Sequence, residues 1–296
     1  MRVLVLGTSG LLGSAVFRVL SESNRLQVVG TIRSPELIHF FDPKYSAGIL
    51  VTSDLTKEKS LETIFSRVRP ELVVNCVAGA LEASRLLDRQ KMIEAFALFP
   101  HRLARICGQT GARLVQISTD GVFSGRRGFY TEDDEPDARD FYGISKLLGE
   151  IGDPHITLRT SMIGHEITRP HGLLEWFLGQ NESCQCFTKA IFSGFPTVVL
   201  AQMIRDIIIP RPTLSGIYHV ASSAISKFDL LSIVAQVYDK KITLVPDNRV
   251  SIDRSLLATR FNTITGYVPP AWPQLIRTMY LDQQEQAGRN VLERVS

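Results

Sequence analysis

The chain has 296 residues, 44% of them hydrophobic, enough apolar material for a sizeable core in one large domain or a large and a small one. Basic residues number 33 against 30 acidic ones, and a net charge of +3 spread along the sequence leaves no electrostatic footprint for nucleic acid.

From the N-terminus, strand-like and helix-like segments alternate. Residues 2–6 form a continuous apolar run of the kind buried on both faces of a parallel sheet. Residues 11–21 follow with helical spacing, carrying Leu12, Val16, Val19 and Leu20 on one side. Strands are predicted at 26–32, 48–52, 71–77, 113–118 and 155–160, and helices at 57–69 and 142–151. A long helical stretch over 81–108 is expected to be interrupted at Pro100. Parallel strands need crossover connections, so this alternation predicts a doubly wound, Rossmann-like parallel sheet with helices on both faces. Beyond residue 160 the strict alternation stops. Helices are expected at 172–178 and 227–238 and a short strand at 241–245. A last helix starts near Trp272 and gives way to a polar tail from Asp282 to Ser296. The division expected is a dinucleotide-binding domain over 1–160, to which later segments return, and a mainly substrate-binding lobe over 161–296.

No stretch reaches the ~18 uninterrupted apolar residues of a membrane span, and Met1 leads directly into the first strand. Cys76, Cys107, Cys184 and Cys186 lack the spacing of a zinc or redox motif, and Cys-x-Cys is a poor disulfide candidate. The six His are scattered. The expectations are a cytoplasmic protein with reduced thiols, no metal and no membrane partner, and a homodimer as the commonest state of a soluble enzyme.

Two segments carry chemistry. Gly7-Thr8-Ser9-Gly10-Leu11-Leu12-Gly13 lies directly after a strand and opens a helix. Glycine there permits a tight turn, close approach of backbone to a pyrophosphate, and close helix–strand packing. The amides at the helix N-terminus then face phosphate, where the helix dipole favours negative charge. Arg33 follows the second strand, at the place where an acidic residue often meets the ribose 2′-hydroxyl of NAD; a guanidinium suits the 2′-phosphate of NADP. The second segment is Tyr142-Gly143-Ile144-Ser145-Lys146. Four residues along a helix place Tyr142 and Lys146 on one face. An ammonium beside a phenol of ordinary pKa near ~10 is expected to lower it toward the working range of a proton donor. Thr119 ends the fifth strand, where ligands of open α/β sheets bind, and its hydroxyl is suited to orient a substrate oxygen.

The two-residue spacing between glycines, with Tyr-x-x-x-Lys downstream, resembles the short-chain dehydrogenase/reductase superfamily in its extended form. On that resemblance, Asp54-Leu55 takes the place of the adenine-contacting pair, and Val77, Ala78 and Gly79 that of the strand end beside the cofactor. Gly7, Ser9, Gly10, Leu11, Leu12, Gly13 and Ser118 join this cofactor set, with NADP favoured over NAD. Residues 118–125, Ser-Thr-Asp-Gly-Val-Phe-Ser-Gly, are similar to a signature of the dTDP-4-dehydrorhamnose reductase family. The segments Leu158-Arg159-Thr160-Ser161, Gly194-Phe195-Pro196-Thr197 and Gly216-Ile217-Tyr218-His219 extend the resemblance to at least residue 260.

The resemblance implies NAD(P)H-dependent reduction of a nucleotide-linked 4-keto-6-deoxy sugar. Tyr142 would protonate the carbonyl oxygen, Lys146 would bind the nicotinamide ribose, and Thr119 would polarise the carbonyl. Thr119, Val122, Phe123, Met162 and Trp176 are the substrate-side candidates, although the spacing of Trp176 with Leu173 and Phe177 also suits a core residue. Departures from the family pattern fall near the substrate: Gly121 replaces a tyrosine, Ser124 an aspartate and Met162 an aromatic residue. Two other functions share these features. One is an NAD-dependent nucleotide-sugar epimerase or dehydratase; the other is a non-catalytic, dinucleotide-binding regulatory subunit.

Overall fold

The structure is a computed structural model that describes residues 1–78, 86–168 and 172–295. Strand β1 (Arg2–Leu6) is buried on both faces, Val3 and Val5 to one side and Leu4 and Leu6 to the other. Helix α1 (Leu11–Ser21) carries the chain back to β2 (Gln27–Ile32). After a 3-10 turn over Pro35–Phe40 and the short α2 (Pro43–Ser46), β3 (Ile49–Val51) closes one edge of the sheet. Helix α3 (Glu58–Val68) leads to β4 (Leu72–Asn75). Helix α4 (Leu86–Met92), a π-helical segment over Ile93–Leu98 and α5 (Phe99–Thr110) then follow without a break.

Pro100 therefore does not end this helix. It sits in the first turn of α5, where the amide it lacks has no obligatory partner, and its effect appears one turn earlier. An ordinary α-turn would pair the Pro100 nitrogen with the carbonyl of Phe96, and the chain widens there into the π-helical turn instead. The Phe96 carbonyl lies against Gly149, where a Cβ would stand 1.8 Å from that oxygen.

Strand β5 (Arg113–Thr119), α6 (Phe141–Leu148) and β6 (Ile156–Thr160) complete the alternating part. The excursion that follows comprises β7 (Met162–Ile163), α7 (Leu173–Leu178), β8 (Ser183–Phe192), β9 (Phe195–Pro196) and α8 (Thr197–Met203), which continues as a π-helical segment over Ile204–Ile208. β10 (Gly216–His219) then returns to pair with β6. The seven-stranded sheet is parallel throughout, in the order β10-β6-β5-β4-β1-β2-β3. The remaining elements are β11 (Ile225–Ser226), α9 (Lys227–Val237), β12 (Thr243–Asp253), α10 (Thr259–Thr265) and α11 (Trp272–Val295).

Two apolar layers sandwich the sheet. One joins Val3, Val5, Val16 and Phe17 to α8, α9 and α11; the other joins Leu4 and Leu6 to Leu61, Phe65, Phe99 and Leu103. Beside the main sheet, β11, β8 and β12 form a small three-stranded sheet. Differences from the expectations fall mainly after residue 160. β8 is a strand where none was predicted. β12 runs to Asp253, well past 245. The final helix continues through the polar segment to Val295, helped by Arg18 of α1 bonding Asp282 at 2.7 Å and by Gln286 reaching back to Asp282 at 2.8 Å. No described helix is long and apolar enough to cross a membrane, and no metal-like cluster of His, Cys, Asp or Glu occurs among the described residues.

Candidate active site

The glycine loop joins β1 to α1 at the carboxyl edge of the sheet. Gly7 adopts φ +79°, open to glycine with little strain, and a Cβ there would lie 3.0 Å from the Cys76 carbonyl oxygen. A Cβ on Gly13 would stand 2.0 Å from the Gly7 carbonyl oxygen, so α1 can start this close to the loop only without a side chain. Thr8 fastens the loop to β2: its amide and hydroxyl both donate to the Thr31 carbonyl, at 3.1 and 2.8 Å. Gly10 caps α1 with no side-chain bond to the first turn, leaving the amides of that turn free to donate to a phosphate. The Leu12 side chain is buried, so this position can offer a cofactor only its backbone.

Around the loop stand the other expected cofactor positions. Arg33 follows β2 directly and is exposed. The Asp54 carboxylate accepts from the Thr56 amide at 2.9 Å and hydroxyl at 2.6 Å, which holds its pKa below the usual value, while Leu55 packs on the core. Asn75, buried at the end of β4, accepts from the Val77 amide at 3.1 Å and donates to Gln116 at 2.7 Å, fixing the exit toward Ala78. Gly79 lies outside the described residues. These features fit a dinucleotide: free amides at a helix start, a cradle a Cβ would fill, and an exposed cation at the end of β2.

The catalytic candidates converge at the end of β5. Thr119 is its last residue, and its hydroxyl accepts from the Gly121 amide at 3.0 Å, donates to Asp120 at 3.2 Å and lies near enough to the Tyr142 phenol to act on its pKa. Asp140 caps α6, accepting from the Gly143 amide at 2.8 Å, and sets the first turn on which Tyr142 stands. Lys146, buried one turn later, donates to the Ile117 carbonyl at 2.7 Å. Phe96 of the π-helical segment fills the space between them. Its ring meets Tyr142 edge-on at 5.7 Å and lies 5.5 Å from the Lys146 ammonium.

The charges depart from expectation in one respect. Lys146 does not draw the Tyr142 phenol down; burial, helped by the negative charge of Asp120, pushes it up to about 12. The ammonium is spent on the Ile117 carbonyl, and burial lowers its own pKa to about 8. Tyr142 therefore holds its proton firmly at neutral pH, the state a proton donor needs. Asp120 is raised to about 6 by burial, against the opposing pull of Arg254, the hydroxyls of Thr119 and Ser161, and Lys227.

The substrate-side candidates take different places in the fold. Val122 and Phe123 are fully buried. Phe123 stacks on Tyr130 at 4.2 Å, meets His219 edge-on at 5.6 Å and lies under the Arg159 guanidinium, so both residues are core beneath the site. Trp176 is 42% exposed on α7 and is not a core residue; Leu174 and Phe177 fill the core there. Met162 is half-buried in β7, directly after the β6 end that pairs with Thr119. Gly121 packs closely on the reacting groups: a Cβ there would stand a tight 3.2 Å from the Thr119 hydroxyl and 3.7 Å from the Tyr142 ring. The Ser124 hydroxyl and amide are held by Asp137 at 2.6 and 2.7 Å.

Sequence reasoning missed one buried group. Glu150 accepts from Ser118 at 2.6 Å and from Arg159 at 2.9 and 2.8 Å, both charged side chains being about 5% exposed or less. The available signal was its place four residues after Lys146.

The family model described as the RmlD substrate binding domain matches residues 1–279. The chain belongs to this family. It is thereby an extended short-chain dehydrogenase/reductase of the RmlD-like type. Among curated proteins it is 28% identical over 258 residues to a probable low-salt glycan biosynthesis reductase of Haloferax volcanii, covering 83% of each chain. It is 26% identical over 259 residues to the methionine adenosyltransferase 2 subunit beta of Rattus norvegicus, covering 80% of this chain and 72% of that protein. Among solved structures, the dTDP-4-dehydrorhamnose reductase of Bacillus anthracis in complex with NADP shares its fold with a TM-score of 0.76 at 22% identity, covering 95% of this chain and 99% of that one.

Proposed function

We propose that the chain reduces the ketone of a nucleotide-linked 4-keto-6-deoxy sugar, with NADPH as the hydride source. The observation that carries this reading is the meeting of Thr119, Tyr142 and Lys146 at the end of β5, on the same sheet edge as the glycine loop. Family membership and the glycan biosynthesis reductase relative support the substrate class. A bound nicotinamide dinucleotide supplies hydride to the carbonyl carbon; the residues supply binding, orientation and the proton. The first-turn amides of α1 hold the pyrophosphate, and Arg33 meets the 2′-phosphate, which favours NADP over NAD. Lys146 binds the nicotinamide ribose. Thr119 donates to the carbonyl oxygen, and Tyr142 gives up its proton to that oxygen as negative charge develops on it. Met162 and Gly121 border the sugar.

The test is loss of NADPH absorbance on incubating the purified chain with a panel of nucleotide-linked 4-keto sugars. Turnover of at least one supports the reading; NADPH binding without turnover of any overturns it. That second result is the one expected of a regulatory subunit, a reading favoured by the likeness to methionine adenosyltransferase 2 subunit beta. Stoichiometric NAD+ retained through purification would instead indicate an epimerase or dehydratase.

A further inference from the structure

Three consecutive residues at the end of β5 have separate tasks. The carbonyl of Ile117 accepts from Lys146 at 2.7 Å, the hydroxyl of Ser118 donates to Glu150 at 2.6 Å, and the hydroxyl of Thr119 stands in the site. Glu150 is the common anchor. It lies two residues past the end of α6, the helix that carries Tyr142 and Lys146, and Arg159 of β6 grips both its oxygens, Nε at 2.9 Å and Nη2 at 2.8 Å. Arg159 is backed by His219 of β10, whose Nε2 lies 3.4 Å from Nη1 and whose Nδ1 lies 3.1 Å from the Tyr130 carbonyl oxygen. A buried polar chain thus crosses β10, β6 and β5 and ends just beyond the helix of the catalytic pair.

We propose that Glu150 is a positioning residue for the reaction: its carboxylate clamps the end of β5 to α6 and is the counter-charge that keeps the buried Lys146 an ammonium. This rests on the reductase reading for the role of Lys146, but not for its charge. A buried, singly bonded lysine sheds its proton readily, because low dielectric disfavours the charged form. The groups facing Lys146 are few. Tyr142 and Glu150 come from its own segment, and Cys76 follows β4 with its thiol pushed up to about 12 by burial. From β5 come the Ile117 carbonyl and, beyond Thr119, Asp120; from β6 and β10 come Arg159 and His219, both behind Glu150. Burial lowers Lys146 to about 8, and Glu150 is the larger of the two influences acting upward.

The experiment is a lysine 13Cε NMR titration of the chain without cofactor, the Lys146 signal being identified by its loss in Lys146→Arg. In wild type the signal titrates at about 8. Glu150→Gln, which keeps an oxygen for Arg159 and Ser118, moves the midpoint down by about one pH unit, and Glu150→Asp, which keeps the charge, leaves it near wild type. On a 4-keto sugar substrate at pH 8, Glu150→Gln lowers kcat by about fivefold with KM unchanged, and Glu150→Asp restores most of the loss. A folded Glu150→Gln protein with the wild-type midpoint overturns the proposal. If that variant does not fold, the double variant Glu150→Gln/Arg159→Met is compared with Arg159→Met alone, and its midpoint must lie lower. A double variant with the midpoint of Arg159→Met overturns the proposal equally. Absence of turnover by wild type refutes the reductase reading and leaves the titration, which needs no substrate, to judge Glu150.

Discussion

Substituting Gly13 by alanine is the sharpest probe of the dinucleotide loop, because the structure sets the size of the insult. The new methyl would stand 2.0 Å from the Gly7 carbonyl oxygen, 2.7 Å from the Gly7 carbonyl carbon and 3.1 Å from the Thr8 Cα. Non-bonded contacts settle near ~3.5 Å, so the start of α1 and the loop must part by about 1 Å or more. The loop cannot simply withdraw, since Thr8 is tied to Thr31 by two bonds of 3.1 and 2.8 Å. Overpacking of this kind costs about 1–3 kcal/mol, a fall in Tm of roughly 2–10 °C for a chain of this size. The same displacement moves the amides that face the pyrophosphate, and a misplacement of about 1 Å is worth up to about 100-fold. Quenching of protein fluorescence by NADPH should therefore report a Kd raised about 10- to 100-fold in Gly13→Ala, with a lowered melt. A variant that binds NADPH as tightly as wild type would refute the placement of the cofactor on this loop.

The other expectations concern the catalytic pair and cofactor choice. Tyr142→Phe removes the proton donor while keeping the edge-on packing with Phe96. Steady-state assay should show kcat lowered by at least about 100-fold with NADPH affinity retained. Arg33→Glu should weaken NADPH binding by about 10- to 100-fold and leave NADH binding unweakened, read by titration with each nucleotide. Lys146→Met should stop turnover yet raise stability by about 1–3 kcal/mol near neutral pH, measured by urea unfolding. The sign follows from burial lowering the ammonium from 10.5 to about 8. Below pH 8 the native state carries the full cost of a buried charge. Between 8 and 10.5 the native lysine has shed its proton while the unfolded one has not, so wild-type stability gains with rising pH and the advantage of the variant shrinks.

What the sequence revealed and what it concealed divide by range along the chain. The glycine loop and the Tyr142/Lys146 pair are local patterns, within one turn or one strand–helix junction, and their elements form where the spacing predicts. β8 is local too, and its signal was present: Cys184, Cys186, Ala190 and Phe192 are buried with the two-residue period of a strand. β10 is a strand of only four residues whose partner lies some sixty residues earlier, so no periodicity within it could announce the seventh strand. The polar chain of Ser118, Glu150 and Arg159 joins three elements, and Glu150 alone reads as an ordinary helix-end carboxylate. The fate of the Tyr142 proton was hidden for the same reason: four-residue spacing places Lys146 on the right face, but only the fold shows its ammonium turned to Ile117.

The π-helical turn over Ile93–Leu98 has a consequence for how such a site can vary. A turn of this kind holds one residue more than the α-turn it replaces, and it marks where a single insertion can be absorbed. Deleting one residue here would tighten the turn and swing Phe96 by about 100° around the helix axis, away from Tyr142 and Lys146, while the elements before and after kept their sequences. The aromatic wall of the proton-donor pocket is thus governed by the length of the chain as well as by its side chains. A one-residue indel at this turn would reshape the chemistry more than most substitutions around it.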